Sequence, residues 1–325
     1  MTTETAFVMI SDVGFLVPSL VLARQISSRL SPGLADILLF TINLDAETQK
    51  RLTEDFAGEL RVLSLPDQLV DLPASVTFKE SHVPRAAMAR LLMYQFVPEQ
   101  YQNVIYIDGD MQVAGDLTSL ANYRVPDGEV LAVAENFIVL GERLSDLPKW
   151  CSTFLSNLKL ERTDDYFNSG LLAFRRETWK EIGPRAWKFF LEHSEVCEHH
   201  DQSALNAVLG GRWRRASPSF NFNSHFALAL PYSKFRPNLI HFTSAPKPWA
   251  GASLAWPIKL SEPYVALVKQ YAYLRATIYM DPLLKRSAPR RAIRDIKRRF
   301  LARSEIAERR RRFFEYLARS RFDVS

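Results

Sequence analysis

The chain predicts an α/β fold on a mostly parallel sheet, and three observations carry that class. From the N-terminus to about residue 250, short apolar runs alternate with longer segments of helical spacing. The run Val104-Ile105-Tyr106-Ile107 is apolar without alternation, as suits a strand covered on both faces. Hydrophobic residues make up 47% of 325, enough for a sizeable core in one large domain or two ordinary ones.

The elements follow in order. Phe7-Val8-Met9-Ile10 predicts a first strand, closed by Ser11-Asp12. Apolar periodicity then predicts a helix over 18–30, a strand over 37–42, a helix over 46–56 and a strand over 60–65. A helix is expected over 84–96, because proline suits a first turn and Ala87, Leu91 and Tyr94 recur at helical intervals. The 104–107 strand comes next, with further strands at 130–134 and 170–174 and a helix at 179–191. His200-Asp201-Gln202 opens another helix, where Asp201 fits a capping position. No repeat or low-complexity linker precedes Pro282, beyond which the composition turns arginine-rich.

Chemistry concentrates where the central strand ends. Asp108-Gly109-Asp110 interrupts an apolar pattern that resumes at Met111 and Val113. In an extended chain, residues two apart point to one side, so both carboxylates can converge on a divalent cation as hard oxygen ligands. Asp-Gly is also common turn chemistry, and a plain strand end fits the same residues. First strands of open α/β sheets carry nucleotide sites at their carboxyl ends. There Asp12 offers an acceptor for a base or ribose and Phe15 an aromatic face; a capping aspartate and a core phenylalanine fit equally. Arg90, on an otherwise apolar helix, either snorkels to water or aims its planar fork at a diphosphate. Asn168-Ser169-Gly170 suits a loop that brings polar groups and backbone close to a sugar. His241 can complete the coordination of manganese, and Lys247 can neutralise a phosphate.

Together these residues resemble glycosyltransferase family 8, the retaining enzymes that include bacterial lipopolysaccharide galactosyl- and glucosyltransferases. The resemblance runs in order over residues 6–250. Tyr106 to Asp110 is similar to the family's Tyr-Leu-Asp-x-Asp, and Ala86 to Leu92 to its Ala-x-x-Arg-Leu helix. Asn168-Ser169-Gly170 and Asp201-Gln202 look like its sugar-contacting loops, and His241 to Trp249 like its His-x-x-Gly-x-x-Lys-Pro-Trp segment. The resemblance implies a GT-A (Rossmann-like) fold and transfer of glucose or galactose from a UDP-sugar to a saccharide, lipopolysaccharide or another cell-surface glycan. It implies that Asp108, Asp110 and His241 bind manganese or magnesium, with Gly109 between them and Lys247 and Ser244 near the diphosphate. Ser11, Asp12 and Phe15 would hold uracil. Arg90, Asn168, Asp201 and Gln202 would surround the donor sugar, with Glu135 near donor or acceptor. Three positions depart from the pattern. Gly14 replaces a frequent Asn, Ser244 replaces a glycine, and Ser203 stands where several relatives carry Asp. The last change removes a candidate nucleophile and favours front-face attack by the acceptor hydroxyl.

The chain divides into a catalytic domain over 1–260, a helical connection over 261–283 and a basic tail over 284–325. That tail carries fifteen Lys/Arg against five Asp/Glu, leaving 27 basic against 31 acidic residues elsewhere. An amphipathic tail helix would place Ile293, Ile296, Phe300, Ala307, Phe314 and Leu317 on one side, which suits an anionic membrane surface. A solvated, partly disordered end fits the same composition. Cys151 and Cys197 lack metal-ligand spacing and predict reduced, structural thiols. With no signal-peptide pattern and no stretch able to span a bilayer, a cytoplasmic protein held peripherally at the inner face of the membrane is expected. Two rivals remain. A nucleotidyltransferase would need a Gly-rich basic loop after the first strand, and residues 11–18 hold one glycine and no Lys or Arg. A nucleic-acid-binding protein finds support in Arg309 to Arg312 but not in the mildly acidic body.

Overall fold

The structure is a computed structural model that describes residues 3–78, 84–141, 144–251, 256–280, 293, 297 and 301–325. Its frame is a seven-stranded sheet in the order β3-β2-β1-β4-β7-β6-β8. The strands are β1 (Thr5–Ser11), β2 (Asp36–Thr41), β3 (Arg61–Ser64), β4 (Asn103–Ile107), β6 (Val130–Ala134), β7 (Phe167–Arg175) and β8 (Arg214–Arg215). All pairings are parallel except those of β7, which runs antiparallel to both β4 and β6. The start of β7 therefore lies beside the carboxyl ends of β4 and β6. A second sheet of β5 (Met111–Val113), β10 (Leu239–His241) and β9 (Phe222–Asn223) sits where the chain leaves β4.

Burial explains why the strands read as continuous apolar runs. Every residue of β1, β4 and β6 is buried, with helices Leu16–Ser27 and Arg176–Glu192 among the covering elements. The order reverses between β1 and β4, and at such switch points open α/β sheets form their ligand crevice.

The segment expected as a helix over 84–96 is instead a 3₁₀ helix, Arg85–Leu92, followed by one α turn, Met93–Phe96. The tighter winding accompanies burial on nearly all sides: Ala86, Met88, Ala89, Arg90, Leu91 and Leu92 are all enclosed. Gly183 of the Arg176–Glu192 helix permits this approach, since a Cβ there would lie 2.4 Å from the Leu91 carbonyl oxygen.

The C-terminal segment folds back onto the body. Helix Arg303–Arg319 buries Phe313 and Tyr316, and the Phe313 ring packs 5.1 Å from Phe226 and 5.3 Å from Phe235. Arg312 donates to the Leu140 carbonyl at 2.9 Å, and Val324 bridges Ala216 beside β8. The face meeting the body thus centres on Phe313 and Tyr316. Phe314, placed on the apolar side by helical spacing, is half exposed, as are Ile293 and Leu301 to a greater degree. Ile296 and Phe300 lie outside the described residues. Several arginines of the helix pair locally, Arg309 with Glu305 and Arg311 with Glu308 and Glu315. Cys151 and Cys197 are free, and burial pushes both thiols up to about 12. Among the described residues, no helix is long and apolar enough to cross a membrane.

Candidate active site

Asp108 and Asp110 converge through a turn between two sheets rather than by alternation along one strand. β4 ends at Ile107; the Asp108 amide donates to the Gly170 carbonyl at 2.9 Å, and the Met111 amide to the Asp108 carbonyl at 3.2 Å. The chain then enters β5, in the other sheet. Gly109 packs closely on the Leu16–Ser27 helix: a Cβ would lie 2.2 Å from Ser19 Oγ, so that hydroxyl would have to turn away. β10 pairs antiparallel with β5, setting His241 opposite Met111. His241 Nε2 comes 3.1 Å from Asp110 Oδ1 and 3.9 Å from Asp108 Oδ2. One ligand atom from each of the three residues lies within 4.8 Å of the others. Two carboxylates and one imidazole at this spacing fit a divalent cation of magnesium or manganese type.

Lys247 lies beside this triad, its Nζ 2.7 Å from Asp110 Oδ2. Burial opposes the charged form of Asp110, but Lys247 and His241 outweigh it and hold the carboxyl well below the usual range. The Ser244 amide donates to Ser224 Oγ at 3.2 Å, and Ser244 avoids the left-handed backbone region, so serine can replace glycine there.

Arg90 neither snorkels to water nor lies on an exposed face. It is 4% exposed, with Nη2 2.8 Å from Asp108 Oδ1 and Nε 3.0 Å from Asp201 Oδ2. Its Nη1 donates to the Ser169 carbonyl and hydroxyl at 2.9 and 2.8 Å, and its carbon Cζ lies 4.7 Å over the Tyr106 ring. A guanidinium enclosed this far needs counter-ions, and the two aspartates provide them. Asp201 accordingly is not the helix cap: helix His200–Leu209 has His199 at that position, and the Asp201 carboxylate turns inward. Burial pushes its pKa up to about 6 even though Arg90 pulls the other way.

Asn168, Ser169 and Gly170 belong to β7 rather than to a loop. A register shift at Ala132/Val133 sets Val133 opposite Asn168, so the strand's polar start faces the end of β6. Directly after β6, Glu135 is 8% exposed and gathers N–H donors. Asn168 Nδ2 lies at 2.7 Å, the Asn136 amide at 2.7 Å, and Gln202 Nε2 and Asn223 Nδ2 at 3.2 Å each. Gln202 is held at both ends of its amide, Oε1 accepting from the Ser169 amide at 2.9 Å and Nε2 donating to Tyr166 at 3.1 Å.

At the end of β1, Asp12 caps the short turn Val13–Phe15, accepting from the Phe15 amide at 3.1 Å, while Ser11 Oγ donates to the Asp12 carbonyl at 2.8 Å. Phe15 is only partly buried, its ring edge-on to Trp249 at 6.2 Å. That contact ties the β1 loop to the segment bearing Lys247. The sequence motifs leave out Tyr166, Asn221 and Asn223, which the fold brings to Gln202, His241 and Glu135. The two asparagines flank Phe222 in an Asn-Phe-Asn string, a polar pair in an apolar neighbourhood that marks inward-facing amides.

The model of glycosyl transferase family 8 matches residues 7–252. General stress protein A of Bacillus subtilis (strain 168) is 28% identical over 188 residues, 53% of this chain and 61% of that protein. Lipopolysaccharide 1,3-galactosyltransferase of Salmonella typhimurium is 23% identical over 225 residues, 65% of this chain and 63% of that one. Lipopolysaccharide 1,2-glucosyltransferase of Escherichia coli (strain K12) is 25% identical over 198 residues, covering 56% and 53%. The chain thus spans less than two thirds of the length of these relatives. The galactosyltransferase LgtC, solved with donor and acceptor sugar analogs, superposes with a TM-score of 0.64 at 18% identity, covering 80% of this chain and 95% of that one. The apo form of GlyE from Streptococcus pneumoniae gives 0.56 at 17% identity, covering 86% and 65%. These likenesses show the fold, which is of GT-A type. Matched over more than half its length by the family model, the chain belongs to glycosyl transferase family 8.

Proposed function

We propose that the protein is a metal-dependent, retaining hexosyltransferase that moves glucose or galactose from a UDP-sugar to a saccharide acceptor, lipopolysaccharide or another cell-surface glycan. The observation that carries this reading is the convergence of Asp108, Asp110 and His241 with Lys247 against Asp110. Asp108, Asp110 and His241 would hold the cation. When bound, a divalent cation offsets charge developing on a departing diphosphate. Lys247 would add a second positive charge there. Asp12 and Phe15, beside the switch point, would receive the uracil ring. Gln202, Asn168 and Asp201 would line the sugar.

The neighbouring carboxylates favour front-face attack. Asp201 is tied to Arg90, Glu135 is occupied by four N–H donors, and Ser203 offers no carboxylate. The acceptor oxygen would bond to the anomeric carbon as the bond to phosphate breaks, its proton passing to the departing phosphate oxygen.

We place the protein in the cytoplasm, at the inner face of the membrane, with residues 285–325 toward anionic lipid. Exposed Ile293, Leu301 and Phe314 on an arginine-rich segment support that placement.

Calorimetry with UDP tests the central reading. Binding should require Mn²⁺, vanish in chelator and fall at least about tenfold in Asp110→Asn, a loss of about 1.4 kcal/mol. Equal affinity with and without metal would remove it. A hydrolysis screen of UDP-sugars then identifies the donor.

A further inference from the structure

Behind Asp108, Asp110 and His241 runs a chain of buried side-chain hydrogen bonds that ends at Nδ1 of the His241 ring. Glu135 Oε2 accepts from Asn168 Nδ2 at 2.7 Å, Asn168 Oδ1 accepts from Asn221 Nδ2 at 2.7 Å, and Asn221 Oδ1 lies 2.8 Å from His241 Nδ1. All four residues are nearly enclosed, with relative exposures of 8%, 6%, 1% and 4%.

The direction of the chain follows from one end. A carboxylate only accepts, so Asn168 must turn its NH₂ toward Glu135 and its carbonyl away. That carbonyl also takes the Gly170 amide at 2.9 Å, which a flipped NH₂ would oppose. Asn221 must then present its NH₂ to Asn168 and its carbonyl to His241. The ring nitrogen facing that carbonyl must carry a proton, which leaves the lone pair of the neutral ring on Nε2; Asp110 Oδ1, 3.1 Å from Nε2, competes for that proton until a cation takes the carboxylate. We propose that Asn221, directly against the ring, and Glu135, acting through Asn168 and Asn221, are positioning residues that hold His241 as the Nδ1–H tautomer with Nε2 ready for a divalent cation. A carboxylate or carbonyl behind a ligating histidine fixes tautomer and ring orientation, and its loss costs roughly 10–100-fold in metal affinity. In this chain the supporting carboxylate is two amides removed.

The inference rests on the proposed metal-dependent reading only in its affinity arm; the tautomer is read without metal. Full-length Asp110→Asn protein, in which no carboxylate at position 110 competes for the Nε2 proton, serves as the parent for the tautomer readout: labelled with ¹⁵N-histidine, it is observed by imidazole ¹⁵N–¹H correlation in chelator, at a pH where the ring is neutral, with the His241 signal assigned by its loss in His241→Gln. The parent should show the Nδ1–H tautomer. Glu135→Gln, which can donate as well as accept, and Asn221→Ala, which removes the acceptor, should each give a mixture or the Nε2–H form. With Asp110 in place, both should weaken binding of Mn²⁺ alone by roughly 10–100-fold in calorimetry. Gln202→Ala removes another donor to Glu135 without cutting the chain and should keep the parental tautomer. Glu135→Gln and Asn221→Ala both retaining the pure Nδ1–H form would overturn the proposal. So would Gln202→Ala scrambling the ring as strongly, since loosening alone would then account for the effect. The Nδ1–H tautomer together with no Mn²⁺ uptake by the protein that keeps Asp110 would sink the metal reading and leave the relay standing.

Discussion

Arg90→Met removes the charge shared by buried Asp201 and partly exposed Asp108. Methionine roughly preserves length and apolar volume, so the loss is electrostatic. Breaking a buried ion pair costs about 3–5 kcal/mol, because the remaining charge is left without compensation. Here the fork serves Asp108 at 2.8 Å, Asp201 at 3.0 Å and both oxygens of Ser169, which points to the upper half of that range. The pH dependence sharpens the case. Asp201 titrates at about 6 in the folded protein against an ordinary 3.8, so the folded state binds its proton more tightly. Stability is therefore lost as pH rises from about 4 through 6, by roughly 3 kcal/mol in total at 1.36 kcal/mol per unit. Removing Arg90 deletes the attraction that restrains this shift, so the Asp201 pKa rises further and the loss extends above pH 6. Urea unfolding in chelator at about pH 5 and about pH 8 should show a deficit larger at the higher pH by at least about 1.4 kcal/mol, one pKa unit. Adding Asp201→Asn to Arg90→Met should recover part of it. A deficit below about 1 kcal/mol, or one equal at both pH values, would refute this account of the buried charge cluster.

Three further outcomes follow from contacts at the site and the tail. Gly170→Ala would place a Cβ 2.5 Å from His241 Cε1 and 2.8 Å from its Nδ1, so the ring must shift. Overpacking of this kind costs about 1–3 kcal/mol, and calorimetry with Mn²⁺ should find affinity reduced about tenfold or more; unchanged affinity would mean that the ring is not held against β7. Phe313→Ala empties a fully buried position among Phe222, Phe226 and Phe235 and should lower stability by about 3–5 kcal/mol in urea titration, whereas a free-standing tail would show almost none. Because truncation would uncover that cluster, the membrane proposal is better tested by Leu301→Ser with Phe314→Ser, both exposed. Sedimentation with anionic vesicles should weaken in this variant and with rising salt, and equal binding would turn attention from the apolar side chains to the arginines alone.

The sequence by itself determined the fold class and pointed to Asp108, Asp110 and His241, the residues that the fold brings together. Strand periodicity and apolar runs are local, and β1, β4 and β6 lie where their residue patterns predict them. Asp108, Asp110, His241 and Lys247 were legible because hard anions, an imidazole and an ammonium interrupt or follow apolar strands, where a core alone has no use for them. Only the tertiary structure decided what those groups touch. Asp110 and Lys247 meet across 137 residues because β10 pairs with β5, and no local pattern encodes that pairing. Arg90 reads as a surface residue until Asp108 and Asp201 arrive from other elements to compensate its charge. Asn168 looks like a loop residue because its polarity is visible while its partners, Glu135 and Asn221, are not. On the C-terminal helix, periodicity gives an apolar side, but the body's aromatic cluster selects Phe313 as the buried anchor and leaves Phe314 outside. The physical reason is common to all four cases. A side chain's type sets what it needs, whereas burial and partners, which decide whether the need is met by water, an ion or another residue, come from segments far away in the chain.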